Sequence, residues 1–190
     1  ALVGTLLGVI AGFYLKGPDA IISGVTNVLF AFPPLLLALS LTSVMDRNWF
    51  TVAVAIAIVY IPIFIRVARG PVLSLRNIEY VRAAVSTGQS RMAITMRHVL
   101  PNITSIIIVQ VSLSLSWAVL TEASLSFLGL GNPPPAPSLG SMIYEARTLV
   151  SVAPWTMVAP GIVIVLLVVG LNLLGDGLRD SFDPRKRGSS

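Results

Sequence analysis

Residues 49–65 read WFTVAVAIAIVYIPIFI, and the reading of this stretch decides the fold. Its middle, ValAlaValAlaIleAlaIleVal at 52–59, alternates and is rich in β-branched side chains, the pattern of a short strand. Length argues the other way. The uncharged run is 17 residues long and is fenced by Arg47 and Arg66. A helix needs about 17–25 apolar residues to cross the hydrocarbon core of a bilayer. A strand of an outer-membrane barrel would alternate apolar residues with polar ones facing the lumen, and residues 52–59 supply none. The stretch is predicted to be a membrane-spanning helix.

Working outward, residues 20–45, 99–121 and 148–175 are equally free of charge. The fourth begins Thr-Leu-Val-Ser-Val-Ala-Pro, which moves its membrane part towards Trp155. Spans are expected near residues 20–45, 49–65, 103–121 and 155–175, with a partial one at 1–15. That opening stretch has no basic flank and no small-residue cleavage site, so it does not read as a signal peptide. It reads as the remainder of a helix, and the chain as N-terminally truncated. Composition agrees with a bilayer as solvent: 55% of residues are hydrophobic and 11% charged, with a mean hydropathy of +0.87. Soluble domains carry about 25% charged residues. The chain is expected to be all-α, one polytopic membrane helix bundle over residues 1–190. Cysteine is absent and there is one histidine. That removes disulfides, thiolate ligation, cysteine nucleophiles and multi-histidine metal centres, so neither a metal nor a cofactor is expected.

The net charge of +5 follows topology rather than nucleic acid. Lys16, six arginines between Arg66 and Arg97, and the tail residues Arg179, Arg185, Lys186 and Arg187 fall on one side of the spans; only Arg47 and Arg147 fall on the other. Basic loops stay in the cytoplasm. The segment 67–102 and the C-terminus are therefore expected inside the cell, in a multi-pass protein of the inner or plasma membrane.

Two features concern packing. Gly4, Gly8 and Gly12 recur at four-residue spacing and give one smooth face where another helix can come close. Pro33 and Pro34 sit in the middle of residues 20–45, and Pro62 near the cytoplasmic end of the next span. Such breaks free carbonyls that neighbours or a water-lined path must satisfy, so Pro33 and Pro34 are candidate path residues; a kink inside protein is the plain alternative.

The segment 67–102 is too long to be structureless. Asn77 can cap a helix running from Glu79 to Ser86, with Ile78, Val81 and Val85 on one face and Gly88 ending it in a left-handed conformation. Ser90 can cap a second helix that Pro101 would end.

These residues resemble a family. Glu79-Tyr80-Val81-Arg82-Ala83-Ala84-Val85-Ser86-Thr87-Gly88, followed by Arg97-His98-Val99-Leu100-Pro101-Asn102, is similar to the EAA loop of ATP-binding-cassette (ABC) importer permeases. Glu122-Ala123-Ser124-Leu125-Ser126-Phe127-Leu128-Gly129-Leu130-Gly131 resembles the dipeptide, oligopeptide and nickel branch. So does Asn172-Leu173-Leu174-Gly175-Asp176-Gly177-Leu178-Arg179-Asp180, with Asp183-Pro184-Arg185 after it. Three stretches in order cover essentially the whole chain. The resemblance implies a type I importer permease fold like that of a methionine importer. It implies a binding-protein-dependent transport function for peptides, or a related solute such as a nickel chelate. Two ABC ATPase subunits, a second homologous permease, an extracytoplasmic solute-binding protein and membrane lipid are the partners it implies. Glu79, Tyr80, Val81, Arg82, Ala83, Ala84, Gly88, Leu100 and Pro101 would form the ATPase-coupling loop, with the small Ala83-Ala84 pair at the closest approach. Arg82 departs from the family, which has Glu there; Glu79, one turn earlier, is a substitute, and a plain solvated arginine is the other reading.

The chain's own gaps fit. No Gly-x4-Gly-Lys-Ser/Thr occurs, so ATP must be bound by a separate subunit, and the chain is not expected to be an enzyme. The competing class is an ion-gradient-driven secondary transporter or channel, which needs intramembrane carboxylates that these spans lack. A membrane-embedded hydrolase would need a Ser-His or paired-acid constellation at membrane depth, and none occurs. His98 reads as structural rather than a proton relay. Glu122, at the outer end of its span, could attract a peptide's amino group, cap a broken helix or pair with Arg147. Asp176, Arg179 and Asp180 read as a solvated helix end, Pro133–Pro137 as an extracellular loop, and residues 141–150 as a short helix that could touch a delivery protein.

Overall fold

The computed structural model describes residues 1–15 and 17–182. Lys16, Asp183-Pro184-Arg185, Lys186 and Arg187 lie outside the described residues, so the part of the charge bias and of the third motif that rests on them is not addressed below.

All regular structure among the described residues is helical. The helices are α1 (Leu2–Tyr14), α2 (Gly17–Ala31), α3 (Pro34–Val44), α4 (Trp49–Leu75), α5 (Glu79–Ser86), α6 (Arg91–Ile94), α7 (Leu100–Phe127), α8 (Leu139–Ala146) and α9 (Trp155–Phe182). A π turn, Thr95–Val99, joins α6 to α7 and makes Arg91–Phe127 one continuous helix. Three helices among the described residues are long and apolar enough to cross a bilayer, and four if the broken pair α2–α3 counts as one.

The alternating stretch 52–59 lies inside α4, as its length required. Three boundaries differ from expectation. First, α4 does not end near Ile65 but runs to Leu75, so the connecting segment begins at Arg76 rather than at 67. Its arginines can stay on a helix because each finds a partner: Arg66 lies 4.0 Å over the Phe30 ring, and Arg69 pairs with Asp19. Second, residues 20–45 are not one helix. The helix stops at Ala31 and restarts at Pro34, which occupies the first turn of α3 with Pro33 before it. Proline suits that position because its missing N–H would be unpaired there in any case. Third, Pro101 does not end the helix that Ser90 starts. The π turn closes with Leu100 N–H donating to Thr95 O, a looser five-residue step that lets the helix continue through Pro101.

The chain divides into two compact units. The first comprises Ala1–Ala31, Tyr60–Val111 and the chain from Gly175. Here the glycine face of α1 lies directly on α4. A Cβ on Gly4 would stand 2.6 Å from Phe64 Cβ, one on Gly8 would meet Ile65 O and Ala68 Cβ, and one on Gly12 would stand 2.9 Å from Val72 Cβ. Four-residue spacing thus marks a backbone-to-backbone seam. Beside it Val9, Ala68, Val72, Val99 and Ile103 form a buried core.

Asp19 and Arg69 fasten α2 to α4 in a two-pronged pair, with Nε to Oδ1 at 2.7 Å and Nη2 to Oδ2 at 2.8 Å. Ser23 Oγ also donates to Asp19 Oδ1, at 2.9 Å. Forked pairs of this kind are directional as well as strong. Asp19→Asn is expected to destabilise the folded chain by about 1–2 kcal/mol, since it removes one partner of a partly buried pair. A double-mutant cycle with Arg69→Gln, read by thermal unfolding in detergent, checks it; strict additivity would deny the coupling.

The second unit comprises Phe32–Val59 and Ser112–Leu174. Ser112, Ser114 and Ser116 are buried on α7, and Ser116 Oγ donates to Val168 O of α9 at 3.5 Å. Small hydroxyl residues at helix contacts are the usual way membrane helices approach. By contrast α9 exposes Ile162, Val163, Val165, Leu166, Leu167 and Leu174 over more than half of its circumference, and Ile164 on its buried side is apolar too. A helix apolar on every side is at home in hydrocarbon, not in water.

Candidate functional site

The short helix α5 and the segment after it form the candidate coupling site. Its start differs from the reading above: Asn77 does not cap it. Ile78 is the N-cap, without a side-chain bond, while Asn77 Nδ2 donates back to Leu73 O at 3.3 Å. The buried face differs too. Val81 (1% exposed) and Ala84 (7%) face inward, whereas Ile78 (42%) and Val85 (56%) remain open. The reason is where the partner lies. Val81 and Ala84 form a cluster with Ile94 of α6, against which Phe13 of α1 packs. Glu79, Tyr80, Arg82 and Ala83 are left on the exposed side. The Ala83-Ala84 pair is therefore split: Ala84 is an internal contact and Ala83 an external one.

The C-terminal end is built as expected. Gly88 has φ +76. Gly88 N–H donates to Val85 O at 3.1 Å and Gln89 N–H to Ala84 O at 3.2 Å, the paired bonds of a Schellman cap. Ser90 Oγ then accepts from Ala93 N–H at 3.2 Å and starts α6. The two halves of the motif also meet. The rings of Tyr80 and His98 stand 5.9 Å apart, and Asn102 Nδ2 donates to His98 O at 2.7 Å and reaches Tyr80 Oη at 3.5 Å. His98 thus has a partner, a structural one. Leu100 packs against the core under α1, and Pro101 is exposed.

Glu122 lies near the far end of α7. It does not pair with Arg147, whose guanidinium sits 3.8 Å over the Tyr144 ring. Ser126 Oγ instead donates to Glu122 Oε1 at 2.6 Å, and Ser138 Oγ donates to Ser126 Oγ at 3.1 Å. Ser138 is itself the N-cap of α8, closed by a reciprocal capping box with Ser141. Gly129, at φ +79, turns the chain back. Gly140 then packs so closely on α7 that a Cβ would stand 2.7 Å from Ala123 Cα. The helix expected at 141–150 is α8, at Leu139–Ala146.

The sequence model of the family described as "Binding-protein-dependent transport system inner membrane component" matches residues 4–188. The chain belongs to that family. Among curated proteins the chain is similar to the glutathione transport system permease protein GsiD of Pectobacterium atrosepticum, at 44% identity over 97% of the chain and 61% of the relative. It is also similar to the dipeptide transport system permease protein DppC of Alkalihalophilus pseudofirmus, at 42% identity over 98% of the chain and 61% of the relative. The chain thus spans about three fifths of the length of these relatives. Its fold matches that of the MetNI methionine ABC transporter in an inward-facing form, with a TM-score of 0.76, 17% identity, and coverage of 95% of this chain and 86% of that one. The chain is therefore an all-α, multi-pass membrane helix bundle with the fold of that transporter chain.

Two contacts at the site escaped the sequence reading. Phe13 under α5 gives no local signal, because an apolar residue in the last turn of α1 says nothing of what it will support. Asp19 could have been found: it is the sole acid before Asp46 and sits at the edge of an uncharged run, where an unpaired carboxylate is costly.

Proposed function

We propose that this chain is the transmembrane permease subunit of an ABC importer for small peptides, and that α5 is where separate ATPase subunits drive it. The observation that carries the reading is the two-sided build of α5. One face is clamped to the chain's own Ile94 and Phe13, while Glu79, Arg82 and Ala83 look outward and Tyr80, beside His98, stays exposed with them. A helix of eight residues is too short to hold itself. Anchored at one face and open at the other, it can pass a push from an ATPase directly to the spans. The proposed assembly has two ATPase subunits, a second homologous permease and an external solute-binding protein, with residues 76–102 in the cytoplasm. The names of the relatives GsiD and DppC, glutathione and dipeptide permeases, support a peptide cargo over a nickel chelate. An ion-gradient mechanism finds no support in membership of a binding-protein-dependent family.

Glu122 is proposed to face the external end of the path. Its Oε1 is held by Ser126, which orients the carboxylate while leaving it a charge to offer a peptide's amino group. Pro33 and Pro34 remain candidates for the path because the helix break beside them leaves carbonyls of the last turn of α2 open.

The split of the alanine pair sets the test. Ala83→Trp is expected to cut co-purification of the ATPase at least tenfold while leaving the melting temperature of the chain unchanged, because overpacking a docking face costs about 1–3 kcal/mol. Ala84→Trp is expected to lower the melting temperature itself, since it must displace Phe13 and Ile94. Full ATPase retention by Ala83→Trp would contradict the docking face. Orientation has its own check. With no native cysteine in the chain, a cysteine at Ser86 is expected to resist an impermeant reagent in intact cells, and one at Asn48 to be labelled; the reverse pattern would overturn the topology.

A further inference from the structure

Between α5 and the end of α1 lies a cavity of about 550 Å³. Phe13, Val81 and Val85 give it an apolar floor, and Arg76 and Arg91 stand at its edge. No acidic residue lines it, and neither arginine forms an ion pair among the described residues. Arg91 instead lies 5.4 Å over the ring of Tyr14. Tyr14 also lines a second, almost wholly apolar groove of about 390 Å³, formed with Leu6, Ile10, Met92, Met96 and Leu100. The two cavities therefore share Tyr14 in their walls, one cationic and one apolar.

We infer that this paired site binds an anionic phospholipid of the cytoplasmic leaflet. Its phosphate would lie between Arg76 and Arg91, and an acyl chain would lie in the groove along α1. Three features point to lipid. Among the described residues the guanidiniums have no counter-charge, and guanidinium is the side chain that best matches phosphate. The cationic cavity and the apolar groove share Tyr14 as a wall, a pairing that suits a molecule with a charged head and an apolar tail better than a soluble anion. Tyr14 lines both, and amphipathic rings of its kind are favoured at a membrane surface. Basic pockets between helices on the cytoplasmic side are general headgroup sites. Because Val81 and Val85 of α5 line the headgroup cavity, a bound lipid would brace α5 from below and make its stiffness depend on membrane composition. The lipid assignment rests on the cytoplasmic placement of α5 proposed above, but the binding experiment does not require transport or an ATPase.

The test is native mass spectrometry of the complete transporter, delipidated in detergent and titrated with dioleoyl phosphatidylglycerol, dioleoyl phosphatidylcholine and inorganic phosphate. Phosphatidylglycerol is expected to bind roughly ten- to thirtyfold more tightly than phosphatidylcholine, as two arginines at a lipid surface would give. Arg76→Gln together with Arg91→Gln is expected to erase that preference. Arg97→Gln, an exposed arginine that lines neither cavity, is expected to keep it. Equal binding of both lipids, or a preference that survives the double variant, would overturn the site. Inorganic phosphate matching phosphatidylglycerol would overturn the lipid assignment in favour of a soluble anion. Unchanged lipid binding with loss of the ATPase would assign the arginines to a protein contact and overturn it equally.

Discussion

Gly88→Val is expected to abolish transport while leaving the chain at its normal level in the membrane. Gly88 holds φ +76, and a Cβ placed there would meet nothing within 4 Å. The penalty is thus conformational rather than steric. A left-handed backbone costs an ordinary L residue about 1–2 kcal/mol, and a β-branched one more. That conformation is what lets Gly88 and Gln89 close the cap on Val85 and Ala84. If valine reverts to a right-handed or extended backbone, the cap opens, and the chain leaves α5 in a direction that no longer brings Ile94 under Val81 and Ala84. The spans are untouched, so insertion should be normal. Asparagine tolerates positive φ, so the expected order of uptake is Gly88, then Asn, then Ala, with Val lowest. Uptake of a labelled dipeptide into energised vesicles, set against the amount of permease in them, reads this out. Normal uptake by the valine variant would contradict the turn's role.

Gly8→Leu is expected to be worse for the fold than any change in α5. A Cβ at Gly8 already collides with the carbonyl of Ile65 and crowds Ala68 Cβ. Backbone cannot swing aside as a side chain can, so α1 must lift from α4. That opens the core of Val9, Ala68, Val72, Val99 and Ile103, on which the support of α5 depends. Overpacking typically costs about 1–3 kcal/mol, and a forced separation of helices lies at the upper end or beyond. The expected result is a sharp drop in the recoverable folded protein and in its melting temperature. Gly24→Leu, at a glycine whose Cβ would meet nothing within 4 Å, serves as the control and should be near neutral. Equal tolerance of both would contradict the seam.

The sequence was most legible where one physical requirement dominates. Length without charge identified the helical nature of residues 52–59 against their local alternation, and the bilayer supplies the reason. Four-residue glycine spacing located the α1 seam, and Gly88 announced its positive φ because few other residues accept it. Boundaries were less legible because charge was used to set them. Arg66 and Arg69 looked like loop residues, yet Phe30 and Asp19 hold them on α4. Pro101 looked like a stop, but the π turn before it supplies the slack a proline needs. Within α5, eight residues offer too few turns for periodicity to choose between a face of Ile78, Val81 and Val85 and one of Val81 and Ala84. The choice lay with Ile94 and Phe13, which are distant in sequence or carry no local mark. The same holds for Glu122: Arg147 was the obvious charge partner by composition, but Ser126, tied to the N-cap Ser138 of α8, bonds the carboxylate instead.

The central claim is that the exposed face of α5 meets an ATPase. The most direct measurement is site-specific crosslinking from Ala83, replaced by a photoreactive residue, in membranes containing the whole transporter. The expected product is a single adduct between the permease and the ATPase subunit, altered in yield when ATP is bound and hydrolysed. The same probe at Asn48 should give no such adduct. Crosslinking from Ala83 only to lipid, or to the permease itself, would contradict the account.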